Sequence, residues 1–164
     1  MILVTHAILG GAIGAATGNP FLAFFTGFIS HFVLDAIPHW DYHISSGRTN
    51  SETDFTKNDI VINKESVGDI LKIGLDFFGG IIIAYLLFRN GNTLDWAVLL
   101  GALGGTTPDF MQFLYYKLRL KPLFWLQKFH LFMHAEKSLK HYPILGASVQ
   151  AIFIIGLGVL SLWK

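Results

Sequence analysis

Apolar residues of this chain are gathered into five blocks, and most of the charged residues lie between the blocks. A helix that crosses a bilayer needs roughly 20 mostly apolar residues. The blocks that approach or reach that length are 2–17, 21–37, 70–88, 94–116 and 143–163. Only 14% of the residues are charged, compared with about 25% in an average soluble domain. The sequence therefore predicts one all-α domain over residues 1–164, an integral membrane bundle of about five transmembrane helices.

The segments between the blocks indicate how the helices are connected. Gly18-Asn19-Pro20 predicts a tight turn that joins the first two helices into a hairpin. Residues 38–69 form a long polar loop, in which 59–63 has the pattern of a short strand. The mixture of apolar and basic residues over about 122–138 predicts an amphipathic helix that lies in the membrane interface.

Basic residues are distributed unevenly between the two ends of the predicted helices. All of the 12 Lys and Arg residues except Arg89 and Lys164 lie in or beside the loop 38–69 or the segment 117–142. Cytoplasmic loops of membrane proteins are enriched in such residues. This pattern predicts a multi-pass protein of the cell membrane, with the N-terminus and both polar segments in the cytoplasm.

Charge and cysteine content exclude several functions. The formal net charge is +1, so bulk attraction to nucleic acid is not expected. The chain contains no cysteine, which excludes disulfides, thiolate nucleophiles and thiolate metal sites. Its seven His residues are the unusual feature of so apolar a sequence.

Most of the His and Asp residues inside the predicted helices lie toward the cytoplasmic side. Since successive helices alternate in direction, we expect five of these side chains to lie at the same depth in the bilayer: His6, His31, Asp35, Asp76 and Asp109. Ionisable groups in a bilayer cost a few kcal/mol each on insertion scales, so they normally face a partner or a cavity. Imidazole and carboxylate without thiolate form the ligand set of a hydrolytic Zn²⁺ or Mn²⁺ site.

The run from His31 to Asp41 carries the most specific pattern. His31 and Asp35 are four residues apart and share a helix face. Pro38 is then expected to end or kink the helix, and His39 and Asp41 follow that break.

The stretch 104–109 is predicted to interrupt the fourth helix, with a new helix starting at Pro108 after a capping threonine. Pro38 and Pro108 are separated by as many residues as His6 and Asp76. This equal spacing favours two helical hairpins that arose by duplication of one. The interfacial helix and a C-terminal helix would follow them.

Some of the candidate residues also have structural interpretations. Asp76 is spaced to form an ion pair with Lys72. His130 and His134 are four residues apart, but no Glu follows the first, so the zincin motif is absent and we favour His134 of the two. The remaining histidines, His43 and His141, are expected to be solvated.

Three short motifs resemble a known family. Thr5-His6-Ala7-Ile8-Leu9-Gly10, Pro38-His39-Trp40-Asp41 and Pro108-Asp109 are similar to motifs of the membrane-bound, metal-dependent hydrolase-like proteins of bacterial inner membranes. The resemblance implies a helical membrane protein with a divalent-metal site built from His and Asp. The family's His-Arg-Gly followed by Thr-His is absent here, so the last ligand stays open.

The leading hypothesis is a membrane-embedded, metal-dependent hydrolase that acts at the cytoplasmic leaflet on a lipid ester or phosphoester. Asp41 or Asp76 would act as the general base. The expected cofactor is Zn²⁺, with Mn²⁺ or Mg²⁺ as alternatives, and the expected partner is membrane lipid. The predicted metal ligands are His6, His31, Asp35, His39, Asp109 and His134.

Two other readings of the same cluster stay open. A small cation or proton transporter would use it as part of an ion route, but that function predicts ionisable residues on both sides of the midplane. A structural protein would use it only to hold the helices together.

Overall fold

The computed structural model of the protein describes residues 1–51, 54–64, 66–91, 93–135, 139 and 141–161. Within these residues the prediction of an all-α fold is confirmed. The helices are α1 (Leu3–Thr17), α2 (Pro20–Asp35), α3 (Ser66–Phe88), α4 (Trp96–Leu118), α5 (Lys121–Met133) and α6 (Pro143–Ser161). The described part of the long loop adds a 3-10 turn, Phe55–Lys57, and two short antiparallel strands, β1 (Gly47–Arg48) and β2 (Asp59–Ile60). The predicted strand over 59–63 is thus limited to its first two residues.

The turn between α1 and α2 has the predicted form. Gly18 ends α1 with a φ of 63°, in the left-handed region that glycine adopts without a steric penalty. Asn19 then caps α2 by accepting hydrogen bonds from the backbone N–H groups of Phe21 and Leu22, and Pro20 occupies the first turn. The resulting hairpin fixes the two helices antiparallel.

Helix α4 packs against both α1 and α2, and α3 packs against α1. Glycines allow the close approach of these helices, since a Cβ added to Gly105 would clash with the carbonyl group of His6 on α1. A Cβ on Gly104 would clash with Phe24 on α2 in the same way. The paired glycines therefore bring α4 against the backbones that carry His6 and His31.

The predicted interruption of α4 at Pro108 is wrong, because α4 continues from Trp96 to Leu118 through the proline. Pro108 leaves the Gly104 carbonyl without its N–H donor, and the two threonines before it donate to the preceding carbonyl, that of Leu103. Thr107 Oγ1 donates to the Leu103 carbonyl at 2.7 Å, and Thr106 Oγ1 donates to the same carbonyl at 3.1 Å. No new helix N-terminus is therefore formed at Pro108.

Helix α5 is amphipathic, but two of its polar side chains, Gln127 and His130, point inward. Gln127 and His130 are buried, while Trp125 and Phe132 are exposed. The helix ends at Met133 rather than near 138, and residues 136–138 of the predicted range lie outside the described residues. An exposed apolar face of this kind fits an interfacial location.

One described helix, Ser66–Phe88, is long and apolar enough to cross a membrane. Its most apolar window has a mean hydropathy of 2.0 and is only 11% buried, unlike the core helix of a soluble protein. The helices Leu3–Thr17 and Pro20–Asp35 and the segment Pro143–Val159 are apolar but shorter. Length and composition thus support membrane association through α3.

Candidate metal centre

The carboxylate of Asp35, at the end of α2, lies at the centre of a buried group of imidazoles. Helix α2 ends here because Pro38 follows, and the residue itself is only 1% exposed. Asp35 Oδ2 is 2.9 Å from His130 Nε2 and 3.1 Å from His31 Nε2. Asp35 Oδ1 is 3.2 Å from His6 Nε2. Helices α1, α2 and α5 therefore each bring an imidazole to one carboxylate.

A backbone contact on α4 orients His31. Its Nδ1 is 2.8 Å from the carbonyl oxygen of Gly105, and Nδ1 must carry the hydrogen because a carbonyl oxygen only accepts. The other nitrogen, Nε2, is thereby presented to Asp35, and it also lies 3.7 Å from Asp109 Oδ1. Metal-ligating histidines usually donate their second ring nitrogen in this way.

His130, on the buried face of α5, is missing from the predicted ligand set. Its Nε2 is 3.2 Å from His31 Nε2 and 3.9 Å from Asp109 Oδ1. We favoured His134 over His130 as a metal ligand, but it is His130 that contacts Asp35 directly. The sequence did contain one indication that His130 is buried: its spacing from Gln127 places both side chains on one face of α5.

The four atoms at this point have the spacing of a metal site. Ligand atoms about 2.1 Å from a tetrahedral Zn²⁺ are roughly 3.4 Å from one another. His31 Nε2 and His130 Nε2 lie 3.2 Å apart, at 3.1 and 2.9 Å from Asp35 Oδ2 and at 3.7 and 3.9 Å from Asp109 Oδ1. These two His and two Asp side chains can therefore hold a divalent ion with only small shifts.

His6 is fully buried and lacks hydrogen-bond partners. Nδ1 has no partner among the described residues, Nε2 lies 3.2 Å from Asp35 Oδ1 but outside hydrogen-bond geometry, and the residue is 0% exposed. The ring stacks on His31 with centroids 3.9 Å apart, which directs both imidazoles toward Asp35. An unsatisfied buried polar group costs about 1–3 kcal/mol. A ligand at the centre would remove that cost.

A second group forms beside the first, from Asp35, His39 and His134. His39 Nδ1 is 2.7 Å from the Ile37 carbonyl oxygen, so its Nε2 faces the carboxylates, 4.0 Å from Asp35 Oδ1 and 3.1 Å from Asp41 Oδ2. His134 caps the end of α5, and Ala135 N–H holds the chain there by donating to the Asp35 carbonyl. Burial lowers the pKa of His134, which favours its neutral form.

The amino group of Met1 lies among these residues. It is 2.7 Å from His39 Nε2, 3.0 Å from Asp35 Oδ1 and 3.0 Å from Asp41 Oδ1. Burial alone would raise the pKa of Asp41, but the hydrogen bond with His39 and the charge of this amino group lower it by more. Asp41 is therefore a carboxylate at neutral pH, with its side chain 31% exposed at the rim of the group.

Asp76 has a structural position. Its Oδ2 and Oδ1 accept hydrogen bonds from the backbone N–H groups of Leu3 and Val4, at 2.7 and 3.1 Å, and so cap the start of α1. The predicted ion pair of Asp76 with Lys72 is replaced by one between Lys72 Nζ and Asp69 Oδ1, at 3.3 Å.

The predicted metal ligands thus come together in the described residues, in three overlapping groups whose ligand atoms lie within 4.8 Å of one another. Asp41 adjoins these groups, while Asp76 belongs to none of them. His43 and His141 are exposed, as expected. The groups are His6–His31–Asp35, His31–Asp109–His130 and Asp35–His39–His134.

The structure therefore defines an all-α protein with a buried His/Asp cluster that can hold a metal ion. Comparisons of the chain with protein-family models, with curated proteins and with solved structures find no match. The function has to be argued from the cluster itself.

Proposed function

We propose that this protein is a multi-pass membrane hydrolase that uses a divalent metal ion, with Zn²⁺ as first choice, to cleave an ester or phosphoester of a lipid at the cytoplasmic face. The observation that carries the proposal is the convergence of His31 Nε2 and His130 Nε2, 3.2 Å apart, on Asp35 Oδ2 at 3.1 and 2.9 Å and on Asp109 Oδ1 at 3.7 and 3.9 Å. A purely structural role does not require this spacing.

The positions of the hydrogens on the imidazole rings favour a bound metal ion over a network of hydrogen bonds among the same side chains. His31 uses Nδ1–H on a carbonyl, so its Nε2 faces both Asp35 Oδ2 and His130 Nε2. His130 can donate Nε2–H to Asp35, but a neutral His31 directs a lone pair at Asp35 Oδ2, so His31 needs either a second proton or a metal ion there. A metal ion satisfies all of these atoms at once, whereas a single proton satisfies only one pair.

Hydrolysis would proceed at the metal-bound face of the cluster. A bound Zn²⁺ that takes a water as a fifth ligand, beside these four side chains, would lower the pKa of that water to about 7. Asp41 is placed to orient that water or accept its proton, because its carboxylate is charged and partly open to solvent. Asp76 is not proposed for this role, since both of its oxygens cap α1.

Exposed apolar surface supports several membrane crossings. On α2, the side chains of Phe21, Phe25, Ile29 and Val33 form a stripe of which each member is at least 58% exposed. Such a stripe needs lipid or a protein partner to cover it. We infer that α2 and α3 both face lipid and that the five apolar blocks form the membrane-embedded bundle. The distribution of Lys and Arg supports a cytoplasmic site.

The substrate proposal rests on depth and charge. The cluster lies at the ends of α1 and α2, where lipid headgroups would be found. Lys121 and Lys128 on α5 are exposed and can attract an anionic headgroup. Lys117 and Arg119 are less available, because they contact the loop at Asp59 and at the Thr56 and Asn58 carbonyls.

Metal analysis combined with a lipid assay tests the proposal. The full chain would be purified in detergent, loaded with Zn²⁺ and reconstituted into vesicles of phosphatidylethanolamine and phosphatidylglycerol. We expect bound zinc and release of a lipid hydrolysis product, both lost in His130→Ala and retained in the exposed-site control His43→Ala. Absence of zinc from the folded wild-type protein would overturn the proposed function. Zinc without hydrolysis of any phospholipid would overturn the proposed substrate.

A further inference from the structure

We propose that the cluster holds a second divalent cation beside the first, at Asp35 Oδ1, His39 Nε2 and His134, so that Asp35 bridges two ions. The inference rests on the proposed function for the first ion and deepens it, because two adjacent cations favour a phosphoester as the substrate. Carboxylates are common ligands of paired hydrolytic ions, which lie roughly 3.5–4 Å apart.

The two oxygens of Asp35 already serve different sets of imidazoles. Oδ2 faces His31 and His130, at 3.1 and 2.9 Å. Oδ1 lies 3.2 Å from His6 Nε2 and 4.0 Å from His39 Nε2, and Asp35 and His39 form one group with His134. One ion cannot use both sets with good geometry, because the sets approach the carboxylate through different oxygens. Two ions, one on each oxygen, can use both.

His39 is prepared as a ligand in the same way as His31. Each residue donates Nδ1–H to a backbone carbonyl, of Ile37 and Gly105 respectively, and each presents Nε2 to Asp35. Two independent chain segments thus repeat one orienting device around a single carboxylate. Interhelical hydrogen bonding alone does not account for this repetition, since His39 lies in the loop after α2.

A positive charge already lies at the proposed second position. The amino group of Met1 is within 3.0 Å of His39 Nε2, Asp35 Oδ1 and Asp41 Oδ1. These three atoms therefore surround a point that is suited to a cation. A second metal ion would take the place of this amino group, which would have to move away from the three atoms, and Asp41 would be the neighbour of the ion.

Two ions would favour phosphoester cleavage. Paired ions stabilise both the attacking and the leaving oxygen of an in-line displacement. Water oxygen forms a bond to phosphorus while the bond between phosphorus and the alcohol oxygen breaks. One proton of the water passes to Asp41 or to solvent, and the leaving oxygen takes up a proton from solvent. No oxidant or further reactant is needed.

Metal stoichiometry tests the second position directly. Full-length protein in detergent would be stripped with a chelator, reloaded with Zn²⁺, desalted and measured by mass spectrometry for zinc per chain. We expect two ions in the wild type, one in the double variant His39→Gln/His134→Gln, and two in the exposed-site control His43→Gln/His141→Gln. A wild type that binds one ion would overturn this inference and leave the proposed function intact. A wild type that binds none would overturn both.

Manganese spectroscopy tests the bridge. With Mn²⁺ in place of Zn²⁺, two ions that share Asp35 give an exchange-coupled electron paramagnetic resonance spectrum. The double variant should give the spectrum of an isolated ion, with circular dichroism confirming that it is folded. If that variant does not fold, His134→Gln alone is used, because this side chain is only half-buried. Two uncoupled ions in the wild type would overturn the bridging role of Asp35.

Discussion

His31 Nε2 lies 3.2 Å from His130 Nε2, although the two residues are 99 positions apart and belong to α2 and α5. Both nitrogens also face Asp35 Oδ2. Helix α5 packs on α4 and α2, and through this contact it completes the candidate metal centre. Binding of metal should therefore be linked to the docking of α5.

That linkage predicts a metal-dependent gain in thermal stability. A ligand at 100 times its dissociation constant stabilises the folded state by about 2.7 kcal/mol, which corresponds to about 5–10 °C in Tm for a chain of this size. We expect this gain on adding Zn²⁺ to the metal-free wild type, and less than about 2 °C in His130→Ala. Scanning fluorimetry in detergent measures it. An equal gain in both proteins would mean that zinc binds elsewhere.

The unpartnered imidazole of His6 predicts opposite effects with and without metal. In the metal-free protein, His6→Leu should be neutral or stabilising by about 1 kcal/mol, because it removes an unsatisfied buried polar group. In the zinc-loaded protein the same change should weaken zinc binding by about tenfold, because the ring of His6 stacks on His31 and its Nε2 lies 3.2 Å from Asp35 Oδ1. Thermal melts of both forms, with His43→Leu as the surface control, give the comparison. A loss of stability in both forms would assign His6 a packing role instead.

Much of the centre could be predicted from local patterns. The shared depth of His6, His31, Asp35 and Asp109 follows from helix length and alternating direction, and the turn at Pro38 follows from proline chemistry. His130 could not be identified in this way. Its contact depends on how α5 docks against α2 and α4, and helical periodicity within α5 does not contain that information.

Local sequence patterns also do not predict that α4 continues through Pro108. The proline and its flanking glycines predict a break, but Thr106 and Thr107 supply hydrogen bonds to carbonyls one turn earlier. Packing of Gly104 and Gly105 against α2 and α1 then holds the helix in place. Tertiary contacts override a local preference here.

The close approach at Gly105 predicts a large effect from a single methyl group. A Cβ there would clash with the His6 carbonyl, so Gly105→Ala must move α4 away from α1. Overpacking of this kind costs about 1–3 kcal/mol, and the shift of Asp109 should reduce zinc binding at least tenfold.

A matched substitution on α3 controls for the effect of alanine itself. A Cβ at Gly79 meets no atom within 4 Å, so Gly79→Ala should leave zinc binding unchanged and raise stability by up to about 1 kcal/mol through helix propensity. Equal zinc affinities for the two variants, measured by competition with a chromophoric chelator, would contradict the proposed role of the α1–α4 contact.

The position of Asp76 predicts a structural role for its carboxylate and no role as a metal ligand. Because its oxygens accept from the N–H groups of Leu3 and Val4, Asp76→Ala should leave the first turn of α1 unsatisfied and destabilise the protein by about 1–2 kcal/mol. The same variant should still bind zinc with wild-type stoichiometry once it is folded, whereas Asp35→Ala should not. Chemical denaturation and zinc analysis on the same samples make the test. If Asp76→Ala lost zinc without loss of stability, Asp76 would belong to the centre and its capping role would be secondary.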